Sequence, residues 1–449
     1  MAGTTLILLS LLTAFLAGVT LAGRTATTNY VLETPLPIAD YYVGQYSNDT
    51  YFAINGSNWD NFLVSDNASL VINSCLGNLT SGRTWKEKVL VRGWFNVDTD
   101  ILVPSYTILE IDGVLNSSQT GSSAYIIRNN DTTNGNINIE IIGGEMDGND
   151  QTGADSVGIY FEKVTDGLIS NVYVHHISGA PAYGVHIIES VRVNVEDSRF
   201  DNCDRASAIL TDCTDSDIEN CVSVDSGDTG AHYIIFANSG KGAFRCNIVD
   251  CHSSGGDGLG AQIYCYATDC HIQGGVFEDF SYEGVSLGHE SYVNTCTNIG
   301  VTGATIHTAA GTTGVGVIVF NNYSTVVGCQ INSLRGIYVW SSVYGCSVTG
   351  NSIKNCNNHG VFCEGSWNVF SGNSFSGMTA QYVYAFEMRS GATNNTIIGN
   401  TVYNCYGGIE YVSGANGNHA LGNTFYTDTT AIADSGSDNT EDANYEQEY

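Results

Sequence analysis

The side chains best suited to chemistry recur at one interval. Four short stretches carry Asp147 and Asp150, then His175 and His176, then Asp201, Asp204 and Arg205, then Asp225, Asp228 and His232. From Asp147 to His175, Asp201 and Asp225 the steps are 28, 26 and 24 residues. If each step is one turn of a repeating structure, these groups stack into one carboxylate-lined patch with an Arg. Carboxylates forced together raise one pKa and provide an acid beside a base, as a glycosidase needs. The expected site is therefore Asp201, Asp204, Arg205, Asp225 and Asp228, with His175 one turn earlier. Alternatively, Asp201, Asp204, Asp225 and Asp228 are oxygen ligands for Ca²⁺, with Arg205 as a lyase-like base. Asp also suits turns because it bonds its own backbone. The later turns, however, are built from Asn, Gly and Ser, as in Asn355-Cys-Asn-Asn-His-Gly, so the early bias towards Asp asks for another cause.

A second candidate is aromatic. Tyr338, Phe362 and Phe386 are 24 residues apart and continue a series that includes Tyr160, His186, Gln262, Ser286 and Glu410. They predict an exposed aromatic stripe, which would bind sugar faces, form a subunit contact in a homo-oligomer, or lie under a covering loop.

The elements that position these groups are repeats. One phrase returns as Cys346-Ser-Val-Thr-Gly-Asn351-Ser-Ile, Asn368-Val-Phe-Ser-Gly-Asn373-Ser-Phe, Asn395-Thr-Ile-Ile-Gly-Asn400-Thr-Val and Asn418-His-Ala-Leu-Gly-Asn423-Thr-Phe. Its last small or Asn position recurs at Gly144, Asn171, Ser198, Cys221, Cys251, Gly275, Ala304 and Cys329, making twelve rungs spaced 22 to 30 residues apart. After each comes a small residue followed by apolar, any, apolar, as in Gly184-Val-His-Ile and Gly336-Ile-Tyr-Val. Two short period-2 strands per repeat cannot bury an apolar face alone, but stacked repeats can. At about 4.8 Å per coil, twelve rungs predict a rod roughly 55 Å long.

This pattern resembles the pectin-lyase-like superfamily, which includes pectate lyases, polygalacturonases, phage tailspikes and many surface proteins. Ile141-Ile-Gly-Gly-Glu-Met-Asp-Gly-Asn is similar to a turn common in that superfamily. The resemblance implies an all-β, single-stranded, right-handed parallel β-helix solenoid. It implies no particular enzyme: Ser254-Gly-Gly-Asp-Gly-Leu-Gly and Gly284-Val-Ser-Leu-Gly-His match only fragments of the polygalacturonase motifs, and Asp-Asp and Arg-x-Lys do not occur. Folds of this kind host many activities. Two functions stay open. One is interaction with polysaccharide or surface glycan, with cleavage by a lyase or glycoside hydrolase. The other is a non-catalytic structural or adhesive surface protein.

Four regions are expected: a signal peptide or membrane anchor over 1–23, a cap over 24–88, the β-helix over 89–433 and an acidic disordered tail over 434–449. Thr4 to Ala22 is apolar and uncharged, which predicts export to the cell surface or outside it; left uncleaved, residues 4–22 would hold the chain to a membrane. Ala68 to Gly77 has a helical pattern with Leu70, Val71 and Leu76 on one side, which would close the open solenoid end. With 15 Lys and Arg against 46 Asp and Glu, the net charge of −31 makes nucleic acid a poor partner. Of the 14 Cys, Cys221, Cys251, Cys329, Cys246, Cys270 and Cys346 occupy turn slots held elsewhere by Asn or Gly, and Cys203, Cys356 and Cys405 share a third slot, so Cys reads as a small buried ladder residue. Glycosylation acceptors occur at Asn48, Asn55, Asn67, Asn78, Asn116, Asn130, Asn322 and Asn394.

Overall fold

A computed structural model describes residues 39–46, 49–119, 123–150, 155–227, 230–308 and 314–448. The repeat phrase folds as two strands rather than one. In Ser347–Thr349 and Ser352–Lys354 the central Val348 and Ile353 point inward and are fully buried, with half-buried or exposed polar neighbours. Gly350 makes the corner between them at φ +67°, a left-handed conformation that costs glycine little. The second phrase supplies a third strand, such as Arg335–Val339, with Ile337 and Val339 buried. Each turn thus has three strands, not the two read from the sequence, and the chain winds through about 13 turns.

Equivalent strands pair in parallel from turn to turn, giving three faces. Face A runs through Val164–Ser170, Val191–Glu196 and on to Thr440–Asp442. Face B includes Glu145–Asp147, Tyr173–Ile177 and Arg199–Cys203. Face C includes Asp155–Glu162, Ala182–Ile188, Arg335–Val339 and Tyr384–Met388. The inward residues stack: Ile169, Val195, Ile218, Ile248, Ile272, Val301, Val326 and Val348 follow one another on face A, all at most 1% exposed. Such continuous apolar stacks are what makes an individually unstable repeat stable.

The corners are held by buried amides. Asn351, Asn373, Asn400 and Asn423 form a ladder in which each Nδ2 donates to the next Oδ1 at 2.9 Å. Asn395 and Asn418 make a second ladder at 3.0 Å. In the early turns Ser198, Ser216 and Ser226 serve instead, their hydroxyls accepting backbone N–H groups of the preceding turn. Val172, not Asn171, fills the equivalent slot: Tyr173 N–H bonds Gly144 O, and Arg199 N–H bonds Val172 O. All 14 cysteines are free and buried.

The N-terminal end is capped by α1, Ala68–Gly77. Asn67 Oδ1 accepts the Leu70 N–H at 2.7 Å and so starts the helix. Val71, Ile72, Cys75 and Leu76 face the rod, whereas Leu70 is 52% exposed, so its expected place on the apolar side is wrong. Antiparallel strands Tyr41–Gln45, Tyr51–Asn55 and Asn61–Ser65 adjoin α1, and the first pairs in parallel with Glu87–Val97.

The expected disordered tail is instead the final turn. Asn439 and Asn444 extend both amide ladders, accepting from Asn418 and Asn423, and Thr440–Asp442 and Tyr445–Glu448 pair with the turn before. The acidic composition has a positional reason. Glu441 and Glu446 stand opposite the inward Ala420 and Phe425 of the turn before and are exposed.

Candidate functional site

The early patch assembles only in part. His175 pairs in register with Asp147 and Asp201 on face B, one turn to either side. Asp201 Oδ2 accepts Tyr173 Oη–H and Arg199 Nε–H, both at 2.9 Å, and its buried Oδ1 has no partner among the described residues. Asp204 is a backbone ligand, accepting the Gly179 N–H at 2.9 Å. Arg205 turns away: its guanidinium lies 6.0 Å from the Tyr183 ring, on face C. Asp225 follows Val224, the residue opposite Asp201, and sits in a left-handed turn, φ 47°. Asp228 lies outside the described residues. Among the described residues the carboxylates of Asp201, Asp204 and Asp225 do not gather within 4.8 Å of one another, and the cation at Asp201 is Arg199, which was not among the expected site residues. Arg199 was hidden because it precedes the turn and is displayed by strand alternation.

Face C is where charged groups converge. Its outward row runs Tyr160, His186, Ile209, Ile234, Gln262, Ser286, Ile318, Tyr338, Phe362, Glu387 and Glu410. Phe386 is not in it. It pairs with Val361 and Ile409, is fully buried, and packs edge-on to Phe370 and Phe375 at centroid distances of 5.8 and 4.6 Å. The spacing of 24 from Phe362 is one short of the true step, and a one-residue slip exchanges inside for outside. Glu387 stands where the third aromatic was expected.

Around it the side chains interlock. Phe362 is flanked by two guanidinium groups, Arg335 at 4.3 Å and Arg389 at 5.3 Å from its centroid, with Tyr338 edge-on at 5.0 Å. Its ring therefore makes two cation–π contacts. Tyr338 Oη–H donates to Glu364 at 3.0 Å. Glu387, with its side chain 6% exposed, lies 2.6 Å from His359 Nε2 and accepts from Arg389 Nη1 at 2.7 Å. Burial pushes the Glu387 carboxyl up, but the hydrogen bonds and charges of His359 and Arg389 outweigh it and leave its pKa below the usual range. Glu410, opposite Glu387 on the next turn, moves the other way: burial and the Glu387 charge raise its pKa. Burial, then the bond to anionic Glu364, raises the Tyr338 phenol. Two neighbouring carboxyls with opposed shifts can divide the roles of base and acid.

Of the glycosylation acceptors, Asn78 and Asn130 are exposed, and Asn55, Asn67, Asn116, Asn322 and Asn394 are half-buried. Asn48 lies outside the described residues. Asn67 Nδ2 is engaged by Asp98 and Asn116 Nδ2 by Asn96.

Residues 113–277 match the family model described as right handed beta helix region, and residues 249–448 match that described as periplasmic copper-binding protein (NosD). No curated protein matches the chain. Among solved structures, a mannuronan C-5 epimerase A-module from Azotobacter vinelandii is 16% identical, with a TM-score of 0.52, covering 85% of this chain and 96% of that one. The tailspike protein of E. coli bacteriophage HK620, in complex with pentasaccharide, is 12% identical, with a TM-score of 0.60, covering 83% and 76%. At such identities the likeness is one of fold. The chain is thus a right-handed parallel β-helix protein of the pectin-lyase-like fold, and these likenesses point to no specific enzyme family.

Proposed function

We propose that this chain is an exported protein that binds glycan on face C, around Tyr338, Glu387 and Glu410, and cleaves it with the two glutamates as base and acid. The observation that carries this reading is the pairing in register of two carboxyls, Glu387 and Glu410, on adjacent turns of one sheet face, with Arg389 and His359 on Glu387 alone; the directions of their pKa shifts agree with it. Ionised Glu387 supplies the base or nucleophile, and Glu410, held protonated to higher pH, protonates the leaving oxygen. The HK620 tailspike carries a pentasaccharide on the same fold. Arg335 and Arg389 balance Glu364 and Glu387 locally, and the net charge of −31 disfavours polyanions, so an uncharged polysaccharide is the expected substrate class. Export rests on residues 4–22, which lie outside the described residues; among the described ones no helix is long and apolar enough to cross a membrane.

The shielding of Glu387 favours a second reading, in which the cluster ties turns together and the protein is a structural or adhesive scaffold. A panel of polysaccharides separates the two. Reducing ends and unsaturated products are measured for wild type, Glu387→Gln and Glu410→Gln. The enzyme reading expects cleavage that falls at least a hundredfold in each variant. No cleavage by folded wild type, or full activity in both variants, would leave the scaffold.

A further inference from the structure

We infer that Asp147, His175 and His176 on face B form a binding site for one divalent transition-metal ion of the Zn²⁺ class. Among the described residues this is the one group of three or more His, Cys, Asp or Glu side chains whose donor atoms all lie within 4.8 Å of one another. His175 Nδ1 and His176 Nδ1 are 2.8 Å apart, and they lie 3.6 and 3.2 Å from Asp147 Oδ1. A metal bonded at about 2.0–2.1 Å holds neighbouring donors roughly 2.9–3.4 Å apart, for octahedral or tetrahedral geometry. The 3.2 Å separation lies within that range, and the 2.8 and 3.6 Å separations lie just either side of it.

The surroundings prepare the donors. His175 Nε2 is 3.0 Å from Glu145 Oε1. A carboxylate there accepts a hydrogen bond from Nε2–H, which leaves the Nδ1 lone pair facing the site, the usual support for a metal-bound imidazole. Tyr173 stacks on the His175 ring at 4.4 Å and fixes its plane. Consecutive strand residues normally point to opposite sides of a sheet. Here His176 has φ +53°, which bends the strand so that both Nδ1 atoms meet. Asp147 Oδ1 also accepts the Asn149 N–H at 2.8 Å, which anchors the carboxylate. The His175 side chain is 7% exposed and that of His176 45%, so the site is held from within and open from without.

The donor set selects the ion. Two imidazoles and one carboxylate suit Zn²⁺, Cu²⁺ or Ni²⁺, whereas Ca²⁺ takes six to eight oxygens. Three protein donors leave positions for water, the arrangement of a reactive rather than a purely structural site.

The test is calorimetric titration of the metal-stripped full-length protein with Zn²⁺, and separately with Ca²⁺, followed by electron paramagnetic resonance with Cu²⁺. Expected are one Zn²⁺ per chain, no Ca²⁺ at the same concentrations, and a Cu²⁺ spectrum with two nitrogen couplings. His176→Gln, an exposed substitution, should weaken Zn²⁺ at least tenfold and remove one coupling. Asp147→Asn should weaken it comparably while the circular dichroism stays unchanged. If Zn²⁺ fails to bind, or binds equally to both folded variants, the assignment is wrong. Binding of Ca²⁺ in preference to Zn²⁺ would overturn it as well.

Discussion

Replacing Asn400 with alanine tests how the turns are held together. Asn400 is 1% exposed and its side chain makes four hydrogen bonds. Its Oδ1 accepts the Asn373 backbone N–H at 2.8 Å and Asn373 Nδ2 at 2.9 Å. Its Nδ2 donates to Phe370 O and to Asn423 Oδ1, both at 2.9 Å. Alanine fills less space and leaves two buried donors of Asn373 without acceptors. A stranded buried donor costs about 1–3 kcal/mol, so the expected loss is roughly 3–5 kcal/mol. The last member of the same ladder gives the control. Asn444 makes the equivalent bonds to Asn423, but it is half-exposed and water can replace it, so Asn444→Ala should cost about 1 kcal/mol. A solenoid can open locally, so one global midpoint is a poor measure. Amide hydrogen exchange over residues 369–376 reads the event itself: 3–5 kcal/mol corresponds to a loss of protection of about a hundredfold to a few thousandfold. Protection unchanged in Asn400→Ala, or lost equally in Asn444→Ala, would refute the amide-ladder account.

Burial lowers both His186 and His232 to a pKa of about 4. Between pH 6.5 and 4 the unfolded chain therefore binds the protons and the folded chain does not, so stability is full above 6.5 and falls through this window, by about 3 kcal/mol per histidine. Melting at pH 7.5 and pH 5 should show the loss, and a His186→Gln variant should show less of it; a flat profile would contradict the burial argument. The 14 buried thiols should resist alkylation in the native protein and all react after unfolding, and mass spectrometry finding five or more disulfides would contradict this. In the cap, Ile72→Ala should cost about 2–5 kcal/mol and Leu70→Ala under about 0.5 kcal/mol, read by denaturant unfolding, and similar losses in both would place α1 wrongly.

The turns were legible in the sequence because a stacked repeat must return to the same residue type at the same corner. Asn351, Asn373, Asn400 and Asn423 announce themselves at that spacing, and the structure pairs them directly. The final turn escaped because its inward positions hold Glu441 and Glu446, so composition concealed a register that Asn439 and Asn444 preserve. The face proposed to bind glycan was less legible. Turn lengths vary, and a count of 24 from Phe362 reaches buried Phe386 when the outward residue is Glu387. Arg335, His359 and Arg389 come from different turns and from either side of their strands, so no local motif joins them. Arg205 misled for a related reason: adjacent to Asp204 in sequence, it rounds a corner and lies against Tyr183.

The central claim is that saccharide lies on face C across Glu387 and Glu410. The most direct measurement is a crystal structure of the Glu410→Gln variant soaked with an oligosaccharide cut from whichever polysaccharide the protein binds. The account predicts sugar rings beside Tyr338, Glu387 and position 410, with the glycosidic oxygen within hydrogen-bond reach of the new amide. Sugar bound instead at Tyr173, Arg199 and Asp201 on face B, or no sugar on face C at saturating concentration, would contradict it.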